Sequence, residues 1–195
     1  MLVGSSAPSP TKMGIARSKD YEDALLWLED AGMIYRIHAI SKPGMPLSAY
    51  ADTTAFKVYA CDCGLLRRLA RLPASVVTDP IANYTEFKGA LSENAVLQSI
   101  IPRMDGELPY YWTSGATAEV EFVVQYGEDI VPVEVKAEGN ISGNSLSEYN
   151  KKYLPKHRIR FSMLNLQYNG NLLSCPSPLA SWIDKLFNLL QTESE

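Results

Sequence analysis

Three glutamates and a lysine stand at spacings that would let them share one pocket. Glu121 lies in the run EVEFVV, and Glu134 lies two residues before Lys136 in the run VPVEVK. Both runs alternate polar and apolar residues, as half-buried strands do. Glu93 stands four residues before Leu97, so a helix would place it on an apolar stripe. The pattern therefore aims three carboxylates and an ammonium group at one region of the core.

Strand alternation predicts the neighbours of these groups. In the first strand it places Glu121 on the same face as Val123 and opposite Phe122. In the second strand it places Glu134 with Lys136, opposite the valines that flank them. We therefore expect the charged groups of the two strands to converge on one face of a sheet.

Such a cluster predicts a cation site. A carboxylate buried without a partner is costly, so neighbouring acids on an apolar stripe need a cation. Mg²⁺ prefers oxygen ligands and is commonly held by one or two carboxylates with waters. We expect Glu121 and Glu134 to hold Mg²⁺ with the help of Glu93, and Lys136 to position a water. The predicted chemistry is Mg²⁺-dependent hydrolysis of a phosphodiester.

Helices and strands are predicted on both sides of these residues. A helix begins near Glu86 and ends at Pro102, and from there the pattern is three strands, a helix, a strand and a helix. The final helix is predicted from Pro178, with Ser177 as its N-cap. The predicted elements between them are strands at Tyr110–Thr113, Ala118–Val124 and Ile130–Val135, a helix at Leu146–Tyr153, and a strand at Arg158–Leu164.

The amino-terminal part predicts a smaller unit. A helix from Asp20 to Gly32 and a strand from Met33 to Ile40 are typical of the end of a winged helix-turn-helix. A brief strand at Phe56–Tyr59 and a helix at Asp62–Leu72 follow. The predicted division is a linker at 1–19, a winged-helix-like remnant at 20–54 and an α/β domain at 55–195.

Composition and net charge limit which functions and which cellular compartments are expected for this chain. The 195 residues carry a net charge of -4, so nucleic acid would be bound by local patches rather than by a general positive field. Cys61 and Cys63 have no second pair to complete a zinc site, and three cysteines suit a reducing compartment. With no signal-peptide pattern and no membrane span in the sequence, we expect a cytoplasmic protein. The pattern leaves the oligomeric state open.

Several separated segments resemble one known family. GALSENAVLQSII, YYWTSGATAEVEFVV and GEDIVPVEVKAE resemble the uncharacterised C-terminal domain that follows the ATPase module in a large family of prokaryotic AAA-type ATPases. YEDALLWLEDAGMIYRI and FKVYACDCGLL resemble the linker region of that family. The resemblance extends over about residues 20 to 183.

The resemblance implies a restriction-endonuclease-like, or PD-(D/E)XK, core: a mixed sheet flanked by helices. Glu93 then matches the acid of the first helix, Glu121 the acid of the second strand, and Glu134 with Lys136 the ExK pair. The family's usual EVDF is EVEF here, so the carboxylate of Glu121 stands on an arm about one methylene longer. The implied function is a nuclease-like, nucleic-acid-associated domain.

The sequence leaves other functions open. The chain has no GxxxxGK[ST] loop, so the ATPase module that the resemblance implies is expected as a missing partner. A non-catalytic module that binds DNA or a protein and regulates the ATPase is the second hypothesis, and a structural coupling domain is the third. The aromatic run at 110–112 would stack on bases or, more commonly, pack in the core.

Overall fold

The computed structural model describes residues 18–72, 85–115, 118–137 and 145–192. The predicted linker lies outside the described residues as far as residue 17. The helices of the described residues are α1 (Ser18–Asp30), α2 (Cys63–Leu69), α3 (Thr85–Ile100), α4 (Ser145–Tyr153) and α5 (Ile183–Thr192). The strands are β1 (Ile34–Ile40), β2 (Ala51–Ala60), β3 (Tyr110–Thr113), β4 (Glu119–Tyr126), β5 (Asp129–Val135), β6 (Arg158–Ser162), β7 (Gln167–Asn169) and β8 (Leu172–Pro176).

The strands form one mixed sheet. Their order is β2-β1-β3-β4-β5-β6-β8-β7. The pairs β1–β3, β5–β6 and β6–β8 are parallel, and the other neighbours are antiparallel. Parallel neighbours need a long crossover, and α4 lies in the one between β5 and β6. The predicted α/β class is confirmed, with a mixed sheet flanked by helices.

Apolar side chains cover both faces of the sheet. One cluster packs α3 and α5 against the sheet, and it includes Leu97, Phe122, Val133, Phe161 and Ile183. The second cluster packs α4 on the other face, and it includes Trp112, Val120, Val123, Leu146 and Tyr149. The aromatic run at 110–112 contributes to both clusters, so its packing role is confirmed.

The amino-terminal strands belong to the same sheet as the rest. β1 and β2 pair over nearly their whole length, and β1 joins β3 through Ala39 and Ile40. The predicted boundary between residues 54 and 55 falls inside β2. The two predicted units therefore share a strand. The winged-helix likeness of α1, β1 and β2 stays a prediction.

The carboxyl-terminal elements differ from the predicted ones. The hydroxyl of Ser177 donates to the Ser162 carbonyl at 3.1 Å instead of capping a helix, and a 3-10 helix at Ser177–Trp182 precedes α5. The strand predicted to reach Leu164 ends at Ser162, and Met163 beyond it is exposed. The β7–β8 hairpin was not predicted, although the Gly170-Asn171 pair that forms its two-residue turn is a hairpin signal.

Among the described residues, the model contains no helix that is both long and apolar enough to span a lipid bilayer.

Candidate functional site

The site lies where β4 and β5 separate. These strands pair from Tyr126 and Asp129 only as far as Phe122 and Val133. Beyond that point β4 pairs with β3 alone, and there Tyr110 and Trp112 stand opposite Val123 and Val120. Two residue steps on β3 thus face three on β4, which is a β-bulge. The β4–β5 pairing has ended before Glu121 and Val135, and this break in the pairing beside the bulge is called the gap.

The bulge also changes which side chains share a face. Val120 and Val123 both lie in the cluster beneath α4, three residues apart, whereas Phe122 lies in the cluster beneath α3. The prediction that Glu121 shares a face with Val123 is therefore wrong. Simple alternation fails because an extra residue has been inserted into one strand.

Glu121 occupies the gap. The Val135 N–H has no strand partner in β4 at this point, and it donates to Glu121 Oε2 at 3.2 Å. Burial raises the pKa of Glu121 to about 8, and the neighbouring carboxylate of Glu93 adds to the rise while the ammonium of Lys136 opposes it. A carboxyl group is thus held out of water beside another acid.

Glu134 is completely buried and lies between two basic groups. It stands opposite Arg160 in the parallel β5–β6 register, and the Arg160 Nε donates to its Oε2 at 2.7 Å. Its Oε1 lies 3.2 Å from the Lys136 Nζ in a geometry that makes no hydrogen bond. One oxygen of a fully buried carboxylate is therefore left without a donor.

Glu93 approaches from α3. The hydroxyl of Tyr59 donates to its Oε2 at 3.1 Å. Burial raises the pKa of Glu93, whereas the ammonium of Lys57 and the hydrogen bond from Tyr59 oppose the rise. Leu97, which was predicted to share an apolar stripe of the helix with Glu93, is fully buried in the core below α3.

A further ion pair borders the cluster. Lys57 of β2 is nearly buried and pairs with Glu119 of β4, and its Nζ lies 5.2 Å from the centre of the Tyr111 ring. The charge of Glu119 acts on both Glu93 and the buried Tyr59 hydroxyl, whose pKa is raised first by burial and then by Glu93. Strand β2 thus contributes a charged residue to the same group of charged side chains as β4 and α3.

Glu93, Glu134 and Lys136 are charged neighbours of Glu121, but the acids do not lie on one face of the sheet. Val133 and Val135 lie under α3, so the intervening Glu134 points to the opposite side, whereas Glu93 comes from α3 itself. The expectation of a single shared face is wrong, because Glu134 and the helix that carries Glu93 lie on opposite sides of β5.

Sequence reasoning missed two residues of this cluster. Arg160 alternates with the buried Ile159 and Phe161, so its position opposite Glu134 is compatible with a simple strand pattern. Tyr59 has no such signal, because its contact with Glu93 joins residues 34 positions apart. The prediction would have required the packing of β2 against α3.

The donor set fits a cation held by few protein ligands. Within the described ranges no three His, Cys, Asp or Glu residues form a group that could hold a metal ion. The Oε1 of buried Glu134 accepts no hydrogen bond, and the pKa of the Glu121 carboxyl is raised by burial and then by Glu93, so a cation would stabilise the charged form of each group. Two carboxylates with waters are a common way to bind Mg²⁺.

The fold and this cluster define a mixed α/β protein with a buried acidic and basic site. Residues 88–178 match the model of a domain of unknown function (DUF4143), and residues 9–76 match a second domain of unknown function (DUF8612). DUF4143 in general accompanies AAA-type ATPase-like proteins. No curated protein and no solved structure matches the chain. Glu93, Glu121, Glu134 and Lys136 all lie within the first match.

Proposed function

We propose that the chain is a nuclease-like, nucleic-acid-associated domain that works with an AAA-type ATPase and hydrolyses phosphodiester bonds with Mg²⁺. The observation that carries the proposal is the buried carboxyl of Glu121, which has the acids Glu93 and Glu134 and the ammonium of Lys136 as its charged neighbours. The mixed α/β sheet and the match to a domain that accompanies ATPase-like proteins support it.

The roles follow from the surroundings of each group. Glu121 and Glu134 would hold Mg²⁺, and Glu93 would add negative charge on the α3 side. When bound, the cation would lower the pKa of a water and stabilise charge on the phosphate. Lys136 is 26% exposed, so it can donate from the edge of the site to a water or to a phosphate oxygen while its Nζ stays near Glu134.

A second function is favoured by the two ion pairs of Glu134. Arg160 and Lys136 already neutralise Glu134, so the cluster can be stable without a cation. The chain would then be a non-catalytic module that binds DNA or a protein and regulates the ATPase. The two functions would share the same fold. They differ in whether Glu134 keeps both basic partners or exchanges one of them for Mg²⁺.

Calorimetric titration with Mg²⁺ and Mn²⁺ tests the cation site. The native chain is expected to give saturable heats, and Glu134→Ala and Glu121→Gln are each expected to weaken affinity by at least about tenfold. Glu128→Ala, in the exposed β4–β5 turn, is the control and should bind like the native chain. Because Glu134→Ala leaves Arg160 buried without its partner, Glu121→Gln keeps the test decisive if the first variant unfolds. Equal heats from all four chains would overturn the cation site.

Nuclease assays on single- and double-stranded DNA and RNA separate the two functions. We expect Mg²⁺-dependent cutting by the native chain. Lys136→Met should still bind Mn²⁺ but should cut much more slowly, because it lacks the ammonium beside the proposed water. Retardation of nucleic acid without cutting, by a chain that folds normally, would establish the non-catalytic module instead.

A further inference from the structure

We infer that Tyr59, in the amino-terminal third of the chain, positions Glu93 and completes the cation site, an inference that rests on the proposed function. Tyr59 is 3% exposed, and its hydroxyl donates to Glu93 Oε2 at 3.1 Å. A single hydrogen bond from a buried, fixed phenol selects one orientation of a carboxylate that has few other donors. Tyr59 is therefore a positioning residue that acts through Glu93.

The position of Tyr59 depends on a strong curl of the sheet. In the strand order, β2 is three places from β4, which at about 4.8 Å per strand would separate them by about 14 Å in a flat sheet. The ring centres of Tyr59 and Phe122 are only 5.6 Å apart, and Lys57 pairs directly with Glu119. The sheet is therefore curled here, and the end of β2 lies beside α3 and the site.

The curl is possible because β1 and β3 pair only briefly. Their contact is limited to Ala39 and Ile40 opposite Tyr111 and Trp112, so the rest of the β1–β2 hairpin is free to twist away.

A pair of hydrogen bonds fixes β2 to α3 beside the site. The Ala60 N–H donates to Asn94 Oδ1 at 2.9 Å, and the Asn94 Nδ2 donates to the Ala60 carbonyl at 3.0 Å. Asn94 is 1% exposed, so these bonds do not compete with water. Asn94 follows Glu93 and Ala60 follows Tyr59. This pair of hydrogen bonds, the clamp, therefore fixes the position of the Glu93 carboxylate relative to the Tyr59 hydroxyl.

The site therefore draws on both matched regions. Glu93 lies in residues 88–178, whereas Tyr59 and Lys57 lie in residues 9–76. Residues 88–178 alone would lack the hydroxyl group that orients Glu93. The two regions form one functional unit on this inference.

The Mn²⁺ affinity of Tyr59→Phe tests this role in the full chain. The substitution removes only the hydroxyl and keeps the ring against Phe122, so the fold should persist while Mn²⁺ binds about tenfold more weakly. Tyr126→Phe is the matched control, because its hydroxyl donates to Asn188 Oδ1 at 3.0 Å at the far end of β4. The control should bind Mn²⁺ like the native chain.

A double variant separates positioning from general weakening. If Tyr59 acts through Glu93, then Tyr59→Phe should have no further effect on Mn²⁺ affinity in a Glu93→Gln chain. Unchanged affinity in the single variant, or an equal loss in both backgrounds, would overturn the role of Tyr59 and leave the cation site intact. Absence of Mn²⁺ binding by the native chain would overturn the site, and the role of Tyr59 with it.

Discussion

Replacement of Arg160 by methionine is expected to destabilise the fold by about 3 to 5 kcal/mol. Glu134 is fully buried, and its only hydrogen-bond donor in the described structure is the Arg160 Nε at 2.7 Å. Methionine leaves that carboxylate in the core with Lys136 alone, whose Nζ makes no hydrogen bond to it. Urea denaturation followed by circular dichroism would measure the loss as a lower midpoint at an unchanged slope.

Two companion variants separate the ion pair from the loss of a long side chain. Arg103→Met removes an exposed arginine whose Nε donates to the Ser181 carbonyl, and it should cost no more than about 1 kcal/mol. The double variant Arg160→Met, Glu134→Met removes both charges, and it should be markedly more stable than Arg160→Met alone. A double variant as unstable as the sum of its parts would mean that the two residues are not energetically coupled.

Local patterns in the sequence predict most of the elements that carry the site. The spacing of Glu93 and Leu97 predicts a helix with a carboxyl group on its apolar stripe, and α3 is a helix there with Leu97 in the core. The valines around Glu134 predict β5, and they are buried on one face. These features depend on periodicity alone, which one segment of chain contains in full.

The site itself depends on contacts between segments that lie far apart in the sequence. The bulge that places Glu121 in the gap arises from the pairing of β4 with β3, so simple alternation assigned the wrong neighbours to Glu121. The contact between Tyr59 and Glu93 arises from the curl of the sheet and the clamp at Asn94. Tertiary packing decides such contacts, and a strand pattern does not reveal them.

For Arg160, the sequence predicts the direction of the side chain but not its partner. Its alternation with buried neighbours shows that it points away from α3, but the identity of its partner follows from the register between β5 and β6. That register depends on a parallel crossover through α4 rather than on a local turn. The sequence alone therefore places Arg160 on the face opposite Ile159 and Phe161, but it reveals neither the burial of this arginine nor the acid that it pairs with.

Glu121→Gln is expected to stabilise the fold, and the gain should grow with pH. The pKa of Glu121 rises from its ordinary 4.5 to about 8 on folding, so the folded chain binds the proton more tightly than the unfolded chain. Stability is then lost as the pH rises above about 4.5 and the unfolded chain releases this proton, until the folded group ionises near pH 8. At about 1.4 kcal/mol for each pH unit, the neutral glutamine should gain roughly 2 to 4 kcal/mol at pH 8.

Denaturation midpoints at pH 5 and pH 8 measure this gain. Glutamine cannot ionise, so its advantage should be small at pH 5 and large at pH 8, while Glu128→Gln in the exposed turn should differ from the native chain by less than about 0.5 kcal/mol at both. A gain for Glu121→Gln that does not change with pH would show that the burial of this carboxyl is not the cause.

The same substitution should abolish the stabilisation that Mg²⁺ gives the native chain, because a ligand that binds only the folded state stabilises it through its site. Stability and cation binding would then depend on Glu121 in opposite directions, as expected of an acid kept in the core for function.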